Sequence, residues 1–176
     1  MKKNLSKELA LQAKRLGICS EWHNLLKKLS DKREMAEMYI KGIDFCLAND
    51  YPDNEYIRAN FGEIIHDFGI FLDDRIQLIN PERCVALGNT TGSIEVNSYN
   101  ICEVFVKHHS ELTIKAKDNA FVVIDMFDNS VVSISAENRA RICINRYLGA
   151  EIKERLQLDL SEIKINEKNK KSYING

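Results

Sequence analysis

Two periodicities divide the chain. From residue 4 to about 70 apolar residues recur at helical spacing, and from Cys84 onward they alternate with polar ones, which is the period of a strand with one buried side. In the first stretch, Ser6 is placed to cap a helix carrying Leu9, Ala13 and Leu16 on one face and ending at Gly17. Ser20 is placed to cap a second, with Trp22, Leu25, Leu26 and Leu29. Asp31 opens the longest helix, in which Met35, Ala36, Tyr39, Ile40, Ile43 and Leu47 form one stripe. That helix stops before Pro52, because proline disfavours helical backbone at the residue preceding it. Asp53 caps a short helix with Tyr56 and Ile57, and a last turn through Ile64, Ile65 and Phe68 ends at Gly69. The pattern predicts a helical segment over residues 1–75.

Written in blocks of ten from Thr91, the second part falls into register: TGSIEVNSYN, ICEVFVKHHS, ELTIKAKDNA, FVVIDMFDNS, VVSISAENRA, RICINRYLGA. The fourth position is Ile94, Val104, Ile114, Ile124, Ile134 and Ile144, all β-branched. The second and sixth positions are mostly apolar, and the tenth holds only small residues: Asn100, Ser110, Ala120, Ser130, Ala140 and Ala150. Positions eight and nine are mostly turn residues, such as Asp118-Asn119 and Asp128-Asn129. A fixed short period of this kind points to stacked coils, with even positions inward. The expected fold class is α+β, with helices followed by a short β-solenoid over 76–170 and a tail over 171–176. An antiparallel β-meander is the alternative. Hairpins favour Asn-Gly or Asp-Gly turns, which His108-His109 and Leu148-Gly149 do not match. After Ala150 the register shifts, so a terminal pair of strands is expected to cap the stack.

A twenty-residue period lies over the ten. Outward positions of alternate blocks give one polar set, beginning at Thr91, Glu111 and Val131. The other set is greasier and contains Ile101, Phe105, Phe121, Val123, Phe127 and Tyr147. Two strands per coil place these sets on opposite walls. The aromatic wall is the candidate interaction face, because a large apolar patch is normally covered. Its expected cover is the N-terminal helices, a second copy of the chain, or another protein.

Composition and charge narrow the partners. Basic and acidic residues nearly cancel, 25 against 26, which removes the strong positive field that sequence-independent nucleic-acid binding needs. Lysines 164, 168, 170 and 171 read as a solvated C-terminal end. No apolar run is long enough to span a membrane, and the opening MKKNLSKELALQAKRLG lacks a signal-peptide core, so a cytoplasmic protein is expected. The five cysteines, with no Cys-x-x-Cys pair, read as small buried residues.

For chemistry, His108-His109 beside Asp128 invites a metal or acid–base reading, yet no third ligand stands at a convincing spacing. Asp118, Asp125, Asp128 and His108 are the residues a saccharide-cleaving β-helix hydrolase or lyase would use. Asp118 and Asp128, however, sit where turns favour Asp. Phosphate loops and nucleophile motifs are missing from the sequence. No catalytic, cofactor-binding or metal residue is therefore assigned. The expectation is a non-enzymatic interaction or assembly protein, with a protein partner that includes a second copy of itself and with no cofactor.

The segments YIKGIDFCLANDYP (39–52), AFVVIDMFDNS (120–130) and CINRY (143–147) resemble a family of uncharacterised proteins from gut Bacteroidetes and their phages and mobile elements. The resemblance assigns no role to any residue. It implies an accessory role such as phage structure, host takeover or counter-defence.

Overall fold

A carboxylate at an N-cap organises the best-defined helix start. Oδ1 of Asp31 accepts from the backbone N–H groups of Arg33 and Glu34 at 2.8 and 2.9 Å, and Glu34 returns the bond to the Asp31 N–H at 3.4 Å. The protein is described by a computed structural model covering residues 4–173, which divides into a unit ending at Phe68 and a unit beginning at Gly69. The first unit holds α1 (Leu5–Arg15), α2 (Ser20–Leu26), α3 (Lys32–Lys41), α4 (Ile43–Asn49), α5 (Asn54–Asn60) and a 3₁₀ segment (Gly62–Phe68).

Three local expectations change in this unit. Asn4, not Ser6, caps α1, since its Oδ1 accepts from the Lys7 N–H at 3.2 Å and the Ser6 hydroxyl at 2.8 Å. Ser20 is the first residue of α2 and lies after the N-cap, which is Cys19 and lends no side-chain bond. The long helix breaks at Gly42 into α3 and α4, and the Trp22 ring packs where a side chain at 42 would stand, 3.1 Å from an added Cβ. The stripe Met35, Ala36, Met38, Cys46 and Leu47 is buried across that break. Asp53 caps α5 as expected, accepting from the Tyr56 N–H at 2.8 Å.

The second unit is a parallel β-solenoid of two strands per coil. Among the described residues it has eleven strands: β1 (Ile70–Leu72), β2 (Arg75–Ile79), β3 (Arg83–Leu87), β4 (Thr91–Val96), β5 (Ile101–Val106), β6 (Glu111–Ala116), β7 (Phe121–Met126), β8 (Val131–Ala136), β9 (Arg141–Arg146), β10 (Glu151–Gln157) and β11 (Glu162–Glu167). Odd strands form a six-stranded sheet and even strands a five-stranded one, each in sequence order. Every pairing is parallel, with Ile94 beside Ile114 beside Ile134 and Val104 beside Ile124 beside Ile144. A meander would need antiparallel neighbours and is excluded. The stack is longer than the seven strands legible in the repeat. It begins at Ile70, so a boundary at 75/76 would fall inside β2, and its six-stranded sheet spans roughly 24 Å at about 4.8 Å per coil.

The core is the ladder of even positions, with Ile94, Val104, Ile114, Ile124 and Ile144 all essentially inaccessible. Burying each such side chain stabilises by about 1.5–3 kcal/mol. Tenth positions stack inside the corners, and Thr90, Ser110, Ala120, Ser130 and Ala140 are fully buried there, which explains why each is small.

Candidate interaction face

Each corner turns on one residue with left-handed backbone. Ser98, His108, Asp118, Asp128 and Asn138, all at position eight, have φ between 57° and 63°. Asp and Asn tolerate this region because a short polar side chain can bond locally. Here the bond runs between coils, from one corner residue to the one stacked before it. The Ser98 N–H donates to Asp118 Oδ2 at 3.0 Å, the His108 N–H to Asp128 Oδ2 at 3.2 Å, and the Asn138 N–H to Asp159 Oδ2 at 3.0 Å. His108 serves likewise, its Nδ1 accepting from the Gly88 N–H at 3.0 Å, which leaves the proton of the neutral ring on Nε2. Lys107 Nζ closes on Asp128 Oδ2 at 2.8 Å with only 5% of the lysine side chain exposed.

These rungs redistribute the residues that a hydrolase would need. His108 and Asp128 are neighbours at the corner that ends the six-stranded sheet, and Asp125 lies on β7 nearby. Asp118 stands at the opposite corner, after β6. Asp118 and Asp128 each accept a backbone N–H, and Asp125 accepts from Asn145 Nδ2 at 2.6 Å. The four are not one constellation.

The outward residues of the six-stranded sheet fall in rows across the strands. Ile101, Phe121 and Arg141 form one row, Glu103, Val123 and Cys143 the next, and Phe105, Asp125 and Asn145 a third. Ile101 is 63% exposed, and Phe105, Phe121 and Val123 are half-buried. The Arg141 guanidinium lies 5.8 Å from the Phe121 ring centroid, within cation–π range. Arg83 pairs with Glu103 at 2.7 Å at the margin. The expected face therefore divides in two. Ile101, Phe105, Phe121 and Val123 reach the surface, whereas Phe127 and Tyr147 are buried.

Within this unit, the segment after β11 lies on Phe127 and Tyr147. After β11 the backbone turns back, and the Leu148 N–H donates to Lys170 O at 3.0 Å. Phe127 and Tyr147 stack at 4.6 Å, and the Tyr173 ring meets both edge-on at 5.1 and 5.6 Å. The Tyr173 hydroxyl donates to Asp125. Tyr173, within the segment expected as a tail, is thus seated on the sheet. The only signal for this was a lone aromatic residue in a lysine-rich segment. Tyr99, 81% exposed beside Ile101, was also missed, because position nine lies outside the alternation.

Burial pushes the thiols of Cys84 and Cys102 up, the latter to about 12, so both are protonated core residues, as the repeat predicts for the inward Cys102. Cys143, on the outer side, is half-buried against Asn166. Among the described residues no helix is long and apolar enough to cross a membrane. Comparison with protein-family models, with curated proteins and with solved structures finds no match.

Proposed function

We propose that this chain is an interaction protein, not an enzyme, and that it binds a protein partner through the six-stranded wall of its solenoid. One observation carries the reading. His108, Asp118 and Asp128 are engaged in corner rungs, while Ile101, Phe105, Phe121 and Val123 stand at the surface of a rigid sheet. Stacked coils suit display, because each strand is fixed by its neighbours on both sides. The near balance of charge favours protein over nucleic acid as the partner. A second copy of the chain is one such partner. A host protein, in a cytoplasmic accessory role such as defence inhibition or phage assembly, is the other that the sequence resemblance favours.

The test replaces Ile101 with Lys and Phe121 with Ser in one chain. Light scattering and affinity capture from the producing cells are then compared with the unaltered chain. Self-association or one captured protein is expected to weaken at least tenfold, about 1.4 kcal/mol, with circular dichroism and thermal unfolding unchanged. An identical mass and an identical captured set would remove this face from consideration. Loss of biological activity on His108→Ala and Asp128→Asn with the fold intact would favour a hydrolase or lyase instead.

A further inference from the structure

The aromatic cluster at the β7–β9 corner has the parts of a binding site, and Tyr173 of the same chain occupies it. Two stacked rings, Phe127 and Tyr147, form the floor. A third ring, that of Tyr173, stands edge-on to both, as ring quadrupoles favour. Its hydroxyl meets the Asp125 carboxylate. That carboxylate is held in place from the other side. Asn145 Nδ2 donates to Asp125 Oδ1 at 2.6 Å, and Asn166 Nδ2 donates to Asn145 Oδ1 at 3.2 Å. An acceptor fixed by a ladder of amides, at the rim of an aromatic floor, discriminates a phenol from a plain ring, because a partly buried acceptor covered by a ring without a donor loses a hydrogen bond.

The occupant is attached by a short strap. β11 ends at Glu167, and the Lys168 N–H still donates to Arg146 O at 2.9 Å, as a further rung. Beyond it no strand forms among the described residues. Lys170 O takes the Leu148 N–H, and Lys170 Nζ donates to Tyr173 O at 3.1 Å. The slot also continues into the surface already described. Phe105 is the register partner of Asp125, and Val123 lies two residues before it on β7.

We propose that the Phe127–Tyr147–Asp125 slot recognises a tyrosine side chain on an extended segment of the partner protein, and that Tyr173 is the tethered competitor which the partner displaces. The inference rests on the six-stranded wall being the interaction face. It adds the chemistry of the partner and a threshold for binding. A short tether gives its ligand an effective concentration in the millimolar range, on the order of that of any flexible link of a few residues. A lone tyrosine does not overcome this. A segment that also covers Phe105 and Val123 does.

The experiment uses the full chain carrying Tyr173→Ala, which vacates the slot, and a synthetic peptide of residues 168–173. Saturable binding is expected by titration calorimetry, together with amide shifts at Asp125 and Asn145. Binding to the unaltered chain should be at least tenfold weaker. A peptide with phenylalanine in place of its tyrosine should bind the vacated slot about tenfold more weakly. Adding Asp125→Ala should shrink that difference towards unity, an effect that a merely structural carboxylate does not produce. Absence of binding at millimolar peptide, or equal affinity for the vacated and unaltered chains, overturns the proposal. Should Tyr173→Ala fail to fold, the same titration on Tyr173→Phe decides. Its tethered ring lacks the hydroxyl and must yield to the peptide more readily than the unaltered chain, and equal affinities sink the idea. If the slot fails while Ile101→Lys and Phe121→Ser still abolish partner binding, the wall stands without the slot. If both fail, neither reading survives.

Discussion

At the scale of single residues, the corners reconcile a backbone cost with a hydrogen-bond gain. A non-glycine residue in the left-handed region costs about 1–2 kcal/mol, and each interstrand rung returns about 1 kcal/mol. Asp118 makes two such bonds, accepting from the Ser98 N–H at 3.0 Å and from Asn138 Nδ2 at 3.2 Å. Where the side chain cannot accept, the turn is rebuilt. Leu148 takes no left-handed φ, the positive value of 97° passes to Gly149, and a Cβ there would meet Asp128 O at 2.4 Å. Asp118→Ala keeps the unfavourable backbone and loses both bonds, so it should lower stability by about 1.5–2 kcal/mol. Asp118→Asn retains an acceptor and should cost less than about 1 kcal/mol. Urea unfolding of the two variants measures the gap. If alanine costs no more than asparagine, the rung contributes nothing and Asp118 becomes available for another role.

At the scale of elements, the last coil shows how the stack ends. β10 pairs with β8 in register until Ile152, opposite Val132, and then Glu154 lies opposite Ser133, so Lys153 is an extra residue. One inserted residue reverses parity. Arg155 and Gln157 therefore occupy the inward fourth and sixth positions, opposite Ile134 and Ala136. Their side chains close the open end. Arg155 donates to Ile163 O at 3.1 Å, and Gln157 exchanges bonds with the Ile163 N–H at 3.2 Å and Ser161 O at 2.9 Å. This polar lid keeps the core ladder from continuing into another chain, a device typical of exposed sheet ends. Restoring the repeat with Arg155→Ile and Gln157→Ala should leave the coils folded and raise the mass seen by light scattering through end-to-end association. An unchanged mass at high protein concentration would show that the end is guarded by something else. The bulge also marks the limit of what the pattern discloses. Alternation over 91–150 gave each strand there its inward face, because a period of two leaves no other inward set, and the twenty-residue period divided those strands between the two walls. Beyond Ala150 the shift in register announced the terminal strands β10 and β11, but not that Leu156, Leu158 and Leu160 are exposed. In the helices, Asp31 was legible because Asp-x-x-Glu forms a reciprocal cap, whereas the packing of the Trp22 ring against Gly42 at the break is a contact no local pattern carries.

At the scale of the whole molecule, the two-unit plan and the polarity of the two walls follow from sequence period alone. The split of the aromatic wall does not. Phe127, Tyr147 and Tyr173 come together because the strap reverses direction after β11, and reversal of an irregular segment leaves no periodic trace. The solenoid itself should behave as a one-dimensional stack, each coil stabilised chiefly by the coils on either side. Ile124 lies in the middle of the six-stranded ladder between Val104 and Ile144, and is wholly buried. Ile165 occupies the equivalent place in β11, pairs only with Ile144 in β9, and is partly buried. Ile124→Ala removes contacts shared by three strands and should cost about 3–4 kcal/mol, near the middle of the range for such core truncations. Because the lost contacts sit between coils, amide exchange should accelerate from β5 through β9, not in β7 alone. Ile165→Ala breaks only the outermost interface and should cost about 1–2 kcal/mol, with faster exchange confined to β9 and β11. Hydrogen-exchange mass spectrometry on the two variants distinguishes the cases. Uniform acceleration along the whole stack for both would mean that the coils unfold as one block, and that stability is not summed from neighbouring pairs.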